Sequence, residues 1–252
     1  MAQFSEFQNI LPSPSFKIGD AGQNEADGGT KEGPGYASVK LSSAQKTLRS
    51  RTNSGRYTAR SAAYHMWKVD ISYNPMTRAE FMPVYTFLLE KQGGLKPFYV
   101  SLPQYEAPQD TTFTNVNSLS PIGSFIAGTT NFLVGSLGTG GPTPGDLFNI
   151  EDTSDSNHKK AYMITRVETN ADYLTGSSQP LSNQARIHFT PPLAKEVDGA
   201  TSDLIFKKGS DLSSPPADNP GPLIKVVTKD MQEYSLGTNN LYKFSLSLEE
   251  VQ

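Results

Sequence analysis

Two segments far apart in the chain alternate apolar and polar side chains with a period of two. From Tyr64 to Tyr73, Trp67, Val69, Ile71 and Tyr73 alternate with Lys68, Asp70 and Ser72; from Tyr242 to Glu249, Tyr242, Phe244, Leu246 and Leu248 alternate with Lys243, Ser245, Ser247 and Glu249. Such alternation puts one set on a buried face and the other outward. If the two strands share a sheet, the chain between them leaves that sheet and returns to it, so the ends of the intervening segment lie close together. Two proline-rich stretches, Leu102 to Pro108 and Ser213 to Pro222, mark those ends, as stiff or polar linkers mark domain boundaries.

Between the first strand and the first proline-rich stretch, one helix is encoded. Thr77 and Glu80 have the spacing of a capping box, and Met76 and Phe81 stand at the flanking positions of a hydrophobic staple. Phe81, Val84, Tyr85 and Leu88 form a single apolar stripe, and Gly93 and Gly94 provide the stop. Pro83 removes the hydrogen bond to the Ala79 carbonyl, which predicts a kink or a 3₁₀ first turn. Pro97 to Leu102 reads as a second strand. Beyond it, short strands are predicted near 124–127, 131–134, 146–150, 161–167, 185–189 and 203–206, joined by turn-rich loops. Frequent glycine (21) and proline (18) also favour strands and ordered loops over a helical bundle.

Upstream, Gly19 to Gly35 holds six glycines and no aliphatic residue larger than alanine. Such a segment cannot repay its ordering entropy without a partner and predicts a flexible arm. From Lys40 to Arg60 the charge turns positive: Lys40, Lys46, Arg49, Arg51, Arg56 and Arg60 face no Asp or Glu in that stretch. Either this is a solvated basic loop or it is a contact strip for an acidic surface. Nucleic acid is the weaker expectation, because strand-binding surfaces interleave aromatics and only Tyr57 is present.

Catalytic chemistry finds little support. There is no cysteine, and His65, His158 and His188 are widely spaced, which removes thiol nucleophiles and leaves little for zinc. The glycine-rich run Gly135 to Gly141 is followed by Pro142 and Pro144 rather than by a helix start with Lys and Ser/Thr, so it reads as a turn and not a phosphate loop. Glu151, Asp152, Asp155 and Asn157 lack the frame of a calcium loop and read as a solvated hairpin tip, with a weak accessory ion as the alternative. A Ser/His/Asp triad is assembled from distant residues and leaves no local trace beyond a nucleophile elbow, which is missing. Among 25 acidic residues no glycosidase pair can be singled out. No cofactor, catalytic residue or metal ligand is assigned, and the chain is expected not to be an enzyme. No run approaches a membrane span and the first residues lack a secretory-signal pattern, which predicts a protein that is not a membrane protein and folds where it is made.

The segments Trp67 to Ser72, Thr77 to Glu80 and Phe87 to Val100 with Leu102 to Gln104, and the closing strand Tyr242 to Val251, together resemble the minor tail proteins of tailed bacteriophages, the lambdoid M type. Gly145 to Phe148, Ala161 to Ile164 and Phe189 to Leu193 carry a weaker likeness to β modules of other phage tail proteins. The chain departs from the family in its long insert and its glycine-rich arm. The resemblance implies a mainly β fold: a tail-tube-like β-sandwich or barrel with one packed α-helix, plus an inserted small β domain. It implies a flexible arm at 1–60, a core domain at 61–105 and 223–252, and an insert at 106–222. The implied role is that of a structural virion protein, a ring subunit, hexameric by the same resemblance, at the distal end of the tail tube. Its partners would be itself and the tail-tube and baseplate or tip proteins, with no membrane and no specific nucleic acid; it would be made in the host bacterial cytoplasm and reside in the phage tail. The six basic residues from Lys40 to Arg60 are then candidates for the subunit interface. The alternative is a carbohydrate-binding β module of a phage tail, which an aromatic content of 10% permits.

Overall fold

A computed structural model describes residues 10–13, 34–154, 158–174, 178–206, 222–229, 233–237 and 239–251. In chain order the elements are β1 (Tyr36–Arg51), β2 (Tyr57–Tyr73), α1 (Arg78–Glu90), β3 (Phe98–Ser101), β4 (Ser124–Phe125), β5 (Asn131–Val134), β6 (Leu147–Asp152), β7 (Ala161–Glu168), β8 (Ala185–Thr190), β9 (Val197–Asp198), β10 (Ser202–Ile205), β11 (Leu223–Thr228), β12 (Tyr234–Leu236) and β13 (Tyr242–Glu250). The fold is mainly β, with several antiparallel sheets and one short helix. A six-stranded sheet runs β1-β2-β13-β11-β3, with β12 also on β13; a five-stranded sheet runs β10-β6-β7-β8-β5; β4 and β9 form a separate pair.

The two period-two segments do share a sheet. β13 pairs with β2 so that Leu246 faces Ile71 and Leu248 faces Val69, and Trp67, Val69, Ile71, Phe244, Leu246 and Leu248 are all buried. α1 begins where the Glu80 carboxylate accepts the Thr77 N–H and the Thr77 hydroxyl, each at 2.8 Å. Met76 and Phe81 are both buried beside it, with Val84, Phe87 and Leu88. Of the two outcomes expected from Pro83, the 3₁₀ first turn is not present: α1 is α-helical from Arg78. Ala79, whose carbonyl loses its partner, lies on the exposed side, where water can take that bond.

Two apolar clusters fill the molecule. One gathers Trp67 to Leu102 and Ile224 to Leu248 side chains; the other gathers side chains from Phe113 to Phe206, including Phe132, Phe148, Tyr162, Ile187 and Phe189. Leu147 and Ala161 belong to the first cluster although their strands lie in the second sheet. A polar seam follows the same boundary. The Trp67 indole N–H donates to the Ala161 carbonyl at 2.9 Å, and the Trp67 backbone N–H donates to Glu250 Oε2 at 3.0 Å. Lys160 Nζ donates to Glu250 Oε2 at 2.5 Å and to the His65 carbonyl at 3.0 Å. The Asn149 amide bridges the Lys160 and Leu223 carbonyls at 3.1 and 3.0 Å, and Leu223 N–H donates back to Asn149 Oδ1.

The reading of residues 1–60 as an arm needs correction wherever those residues are described. Ile10 and Leu11 are buried, Leu11 N–H donates to the Tyr99 carbonyl at 2.8 Å, and Ile10 bridges Tyr99 in parallel along the β3 edge. Residues 36–51 are β1, held by register with β2 from Tyr36↔Tyr73 to Arg51↔Tyr57. Apolar mass at residues 10 and 11 and ladder pairing along β1 order segments that composition alone marks as loose. The glycine-rich stretch from Gly19 lies, up to residue 33, outside the described residues.

Candidate functional site

β1 and β2 make a hairpin far longer than the sheet that carries it. β13 supports β2 only as far as Lys68↔Glu249, so the hairpin continues past that pair by roughly 30 Å at ~3.3 Å per residue. The ribbon has two parts. From Tyr36 to Gln45, β1 lies on β2 with Val39 and Leu41 against the first cluster. Register then shifts: Gln45↔His65 is followed by Thr47↔Ser61, so three β2 residues stand against Lys46 alone. Such a bulge bends the strand and locally interrupts the ladder. Beyond it Lys46 to Arg60 is exposed at every position.

The tip closes through Thr52 and Arg56, with Thr52 N–H on the Arg56 carbonyl at 3.0 Å and Gly55 N–H on the Thr52 carbonyl at 2.8 Å. Gly55 has φ +81°, the left-handed region a side chain resists. Cross-strand partners point to one side, so Leu48 and Arg60 share a face and Arg49, Arg51 and Tyr57 share the other. Leu48 and Tyr57 are each more than half exposed. Of the six basic residues singled out in sequence, Lys46, Arg49, Arg51, Arg56 and Arg60 are brought together here; the salt bridges among the described residues include none of them. Lys40 is set apart on the supported half, opposite Asp70. Two-stranded ribbons are marginal on their own, and five cations in a chain of net charge −3 leave an acidic excess elsewhere. Chemically, the distal ribbon is suited to lie on an acidic or aromatic surface of another molecule.

The other candidates resolve into local structure. The run Gly135 to Gly141 folds around a carboxylate of its own chain: Gly141 N–H donates to Asp110 Oδ2 at 3.0 Å, and a Cβ on Gly140 (φ +70°) would stand 2.5 Å from that oxygen. Bonds from the Thr112 hydroxyl, the Thr112 N–H and the Gly141 N–H hold Asp110 below the usual carboxylate range. In the acidic stretch, Asp152 accepts Ser154 N–H at 2.8 Å and Ser154 Oγ–H at 2.6 Å. Burial raises its pKa, but these bonds, with the Thr201 and Ser202 side chains nearby, outweigh it and bring the value to about 2. Asp155 and Asn157 lie outside the described residues, among which no group of three His, Asp or Glu is placed to hold a metal. No described helix is long and apolar enough to cross a membrane.

The histidines are separate. His65 Nε2 meets Ser43 Oγ at 2.9 Å, His158 Nε2 meets the Tyr162 hydroxyl at 2.8 Å, and His188 Nε2 meets Glu168 Oε1 at 2.9 Å. Sequence reading passed over Glu168, a fully buried carboxylate that also takes Arg186 at 3.2 Å and Arg166 at 3.7 Å. Burial pushes its pKa up, but the His188 bond and the surrounding cations bring it below the ordinary value. Glu168 pairs with Arg186 and Arg166 with His188 across β7 and β8, in a register set by the irregularity between Ile164 and Arg166, which no local sequence pattern announces. Also passed over was an aromatic group around Phe81, whose ring stacks on Tyr242 at 4.6 Å and Tyr85 at 5.2 Å and meets Tyr234 at 5.0 Å. No protein-family model matches the chain, and no curated protein matches it in sequence.

Proposed function

We propose that this chain is a structural virion protein of a tailed bacteriophage, a ring-forming subunit at the distal end of the tail tube that joins tube to baseplate or tail tip. The observation that carries the reading is the β1–β2 hairpin, which extends beyond its supporting sheet and presents Lys46, Arg49, Arg51, Arg56 and Arg60 to solvent with no acidic residue among them. A ring requires a head-to-tail contact between two different patches of identical subunits, and a projecting basic ribbon on an otherwise acidic chain supplies one of them. The residues that resemble the phage family also lie in one sheet: Trp67 to Ser72 on β2 pairs with β13, β11 links β13 to β3, and the capped α1 packs against the same apolar cluster. The tube-like arrangement of that sheet belongs to this proposal. So does the absence of catalysis, since the role needs stiff β structure and complementary surfaces and no reactive group.

Negative-stain electron microscopy of the purified chain tests the reading. Closed rings are expected, and single particles at every concentration and ionic strength would contradict it. A second reading, a carbohydrate-binding β module, draws on the partly exposed Tyr85, Tyr234 and Tyr242 around Phe81. Binding to a glycan array that is lost in Tyr234→Ala, from a chain that forms no ring, would favour that reading instead.

A further inference from the structure

One buried side chain joins the base of the hairpin to the five-stranded sheet. Lys160, immediately before β7, has a side chain only 3% exposed. Its ammonium reaches both the Glu250 carboxylate on β13 and the His65 carbonyl on β2. His65 is the last β2 residue in register with β1 before the bulge, and its ring is tied to Ser43 on β1. Trp67, two residues along the same face, donates its backbone N–H to Glu250 and its indole N–H to Ala161, the neighbour of Lys160. His65 and Trp67 also pack edge to face at 4.7 Å. Hairpin base, closing strand and second sheet therefore meet at a single cation.

We propose that Lys160 is a latch through which the seating of the five-stranded sheet sets the direction and stiffness of the hairpin. The contacts stand or fall together. If the sheet lifts, Lys160 and the Ala161 carbonyl leave at once; Glu250 then lacks its counter-charge and the Trp67 indole its acceptor, an arrangement costlier than the seated one. The bulge at Lys46 is the point where the ladder is already interrupted, so an unlatched hairpin bends there. Movement of one unit is thus converted into movement of the ribbon tip, well away from the seam. The inference rests on the seam geometry and holds whichever partner the hairpin meets.

Hydrogen exchange of the full chain tests it. In Lys160→Met, and in the charge-balanced Lys160→Met/Glu250→Met, amides at 43–45 and 65–67 are expected to exchange about tenfold faster or more, the scale of a lost hydrogen bond to a charged group, while those of β5 and β8 stay unchanged. Unchanged protection at the hairpin base, or a uniform rise across the whole chain, overturns the latch. The unmodified chain provides a check that needs no variant: under increasing sub-denaturing guanidinium, the His65 and Trp67 amides are expected to open on the same isotherm as those of Ala161 and Tyr162. Separate isotherms overturn the coupling as well.

Discussion

His65 stays neutral in the folded chain to far lower pH than in the unfolded one. Burial is the main reason and the Lys160 charge adds to it, bringing the pKa from 6.5 to about 4. The unfolded chain therefore takes up this proton first, so the stability His65 contributes is fully present above about pH 6.5 and is lost as pH falls from there towards 4. Glu250 acts in the opposite sense: burial raises its pKa despite Lys160, so its contribution declines as pH rises through the carboxylate range. Comparing the unmodified chain with His65→Gln cancels the Glu250 part. The variant is expected to lose stability less steeply between pH 6.5 and 4 in chemical denaturation, and equal slopes would contradict the account. Gly199 makes a steric prediction of the same grain. A Cβ there would overlap the Pro121 carbonyl oxygen, where Gly199 N–H already bonds the Gly123 carbonyl at 3.0 Å. Gly199→Ala is expected to cost ~1–3 kcal/mol, the scale of overpacking; an unchanged denaturation midpoint would refute that.

Among the elements, α1 separates packing from capping. Leu88 is wholly buried in the cluster with Phe81 and Val84, so Leu88→Ala is expected to cost ~2–5 kcal/mol, whereas Thr77→Ala at the exposed cap is expected to cost ~1 kcal/mol. Equal losses on thermal melting would show that the helix is held by its end rather than its face. α1, β13 and β2 from Tyr64 onward were legible in the sequence because each advertises its own burial, by a 3.6-residue stripe or an alternation, whereas the exposed start of β2 at Tyr57 to Arg60 was not. Nor was β1. Beyond Gln45 it buries nothing on either face, and its conformation is specified by the partner strand, which a local pattern does not encode. β12 escaped for the same reason, with Tyr234, Ser235 and Leu236 all exposed. The candidate site was therefore half visible: the positive charges could be read off the chain, but not that five of them occupy one projecting ribbon while Lys40 lies opposite Asp70. The Lys160–Glu250 pair, 90 residues apart, had no sequence signal at all.

In the whole molecule, the seam changes what excision of the insert should do. Replacing 107–221 with a linker removes Lys160 and Ala161 and strands Glu250 and the Trp67 indole on the remaining core. The cost of breaking a buried pair is ~3–5 kcal/mol. The excised core is expected to fold well only when Glu250→Gln or Glu250→Leu accompanies the deletion, read by cooperative melting, and an equally stable core that retains Glu250 would show the seam to be incidental. Assembly, however, turns on the ribbon and what it joins, and native mass spectrometry of the full chain beside one in which 47–60 is replaced by a short turn decides it. A closed oligomer, six subunits by the family resemblance, is expected for the full chain, and a cooperatively melting monomer for the shortened one. The same mass distribution for both chains, whether monomer or ring, would contradict that expectation.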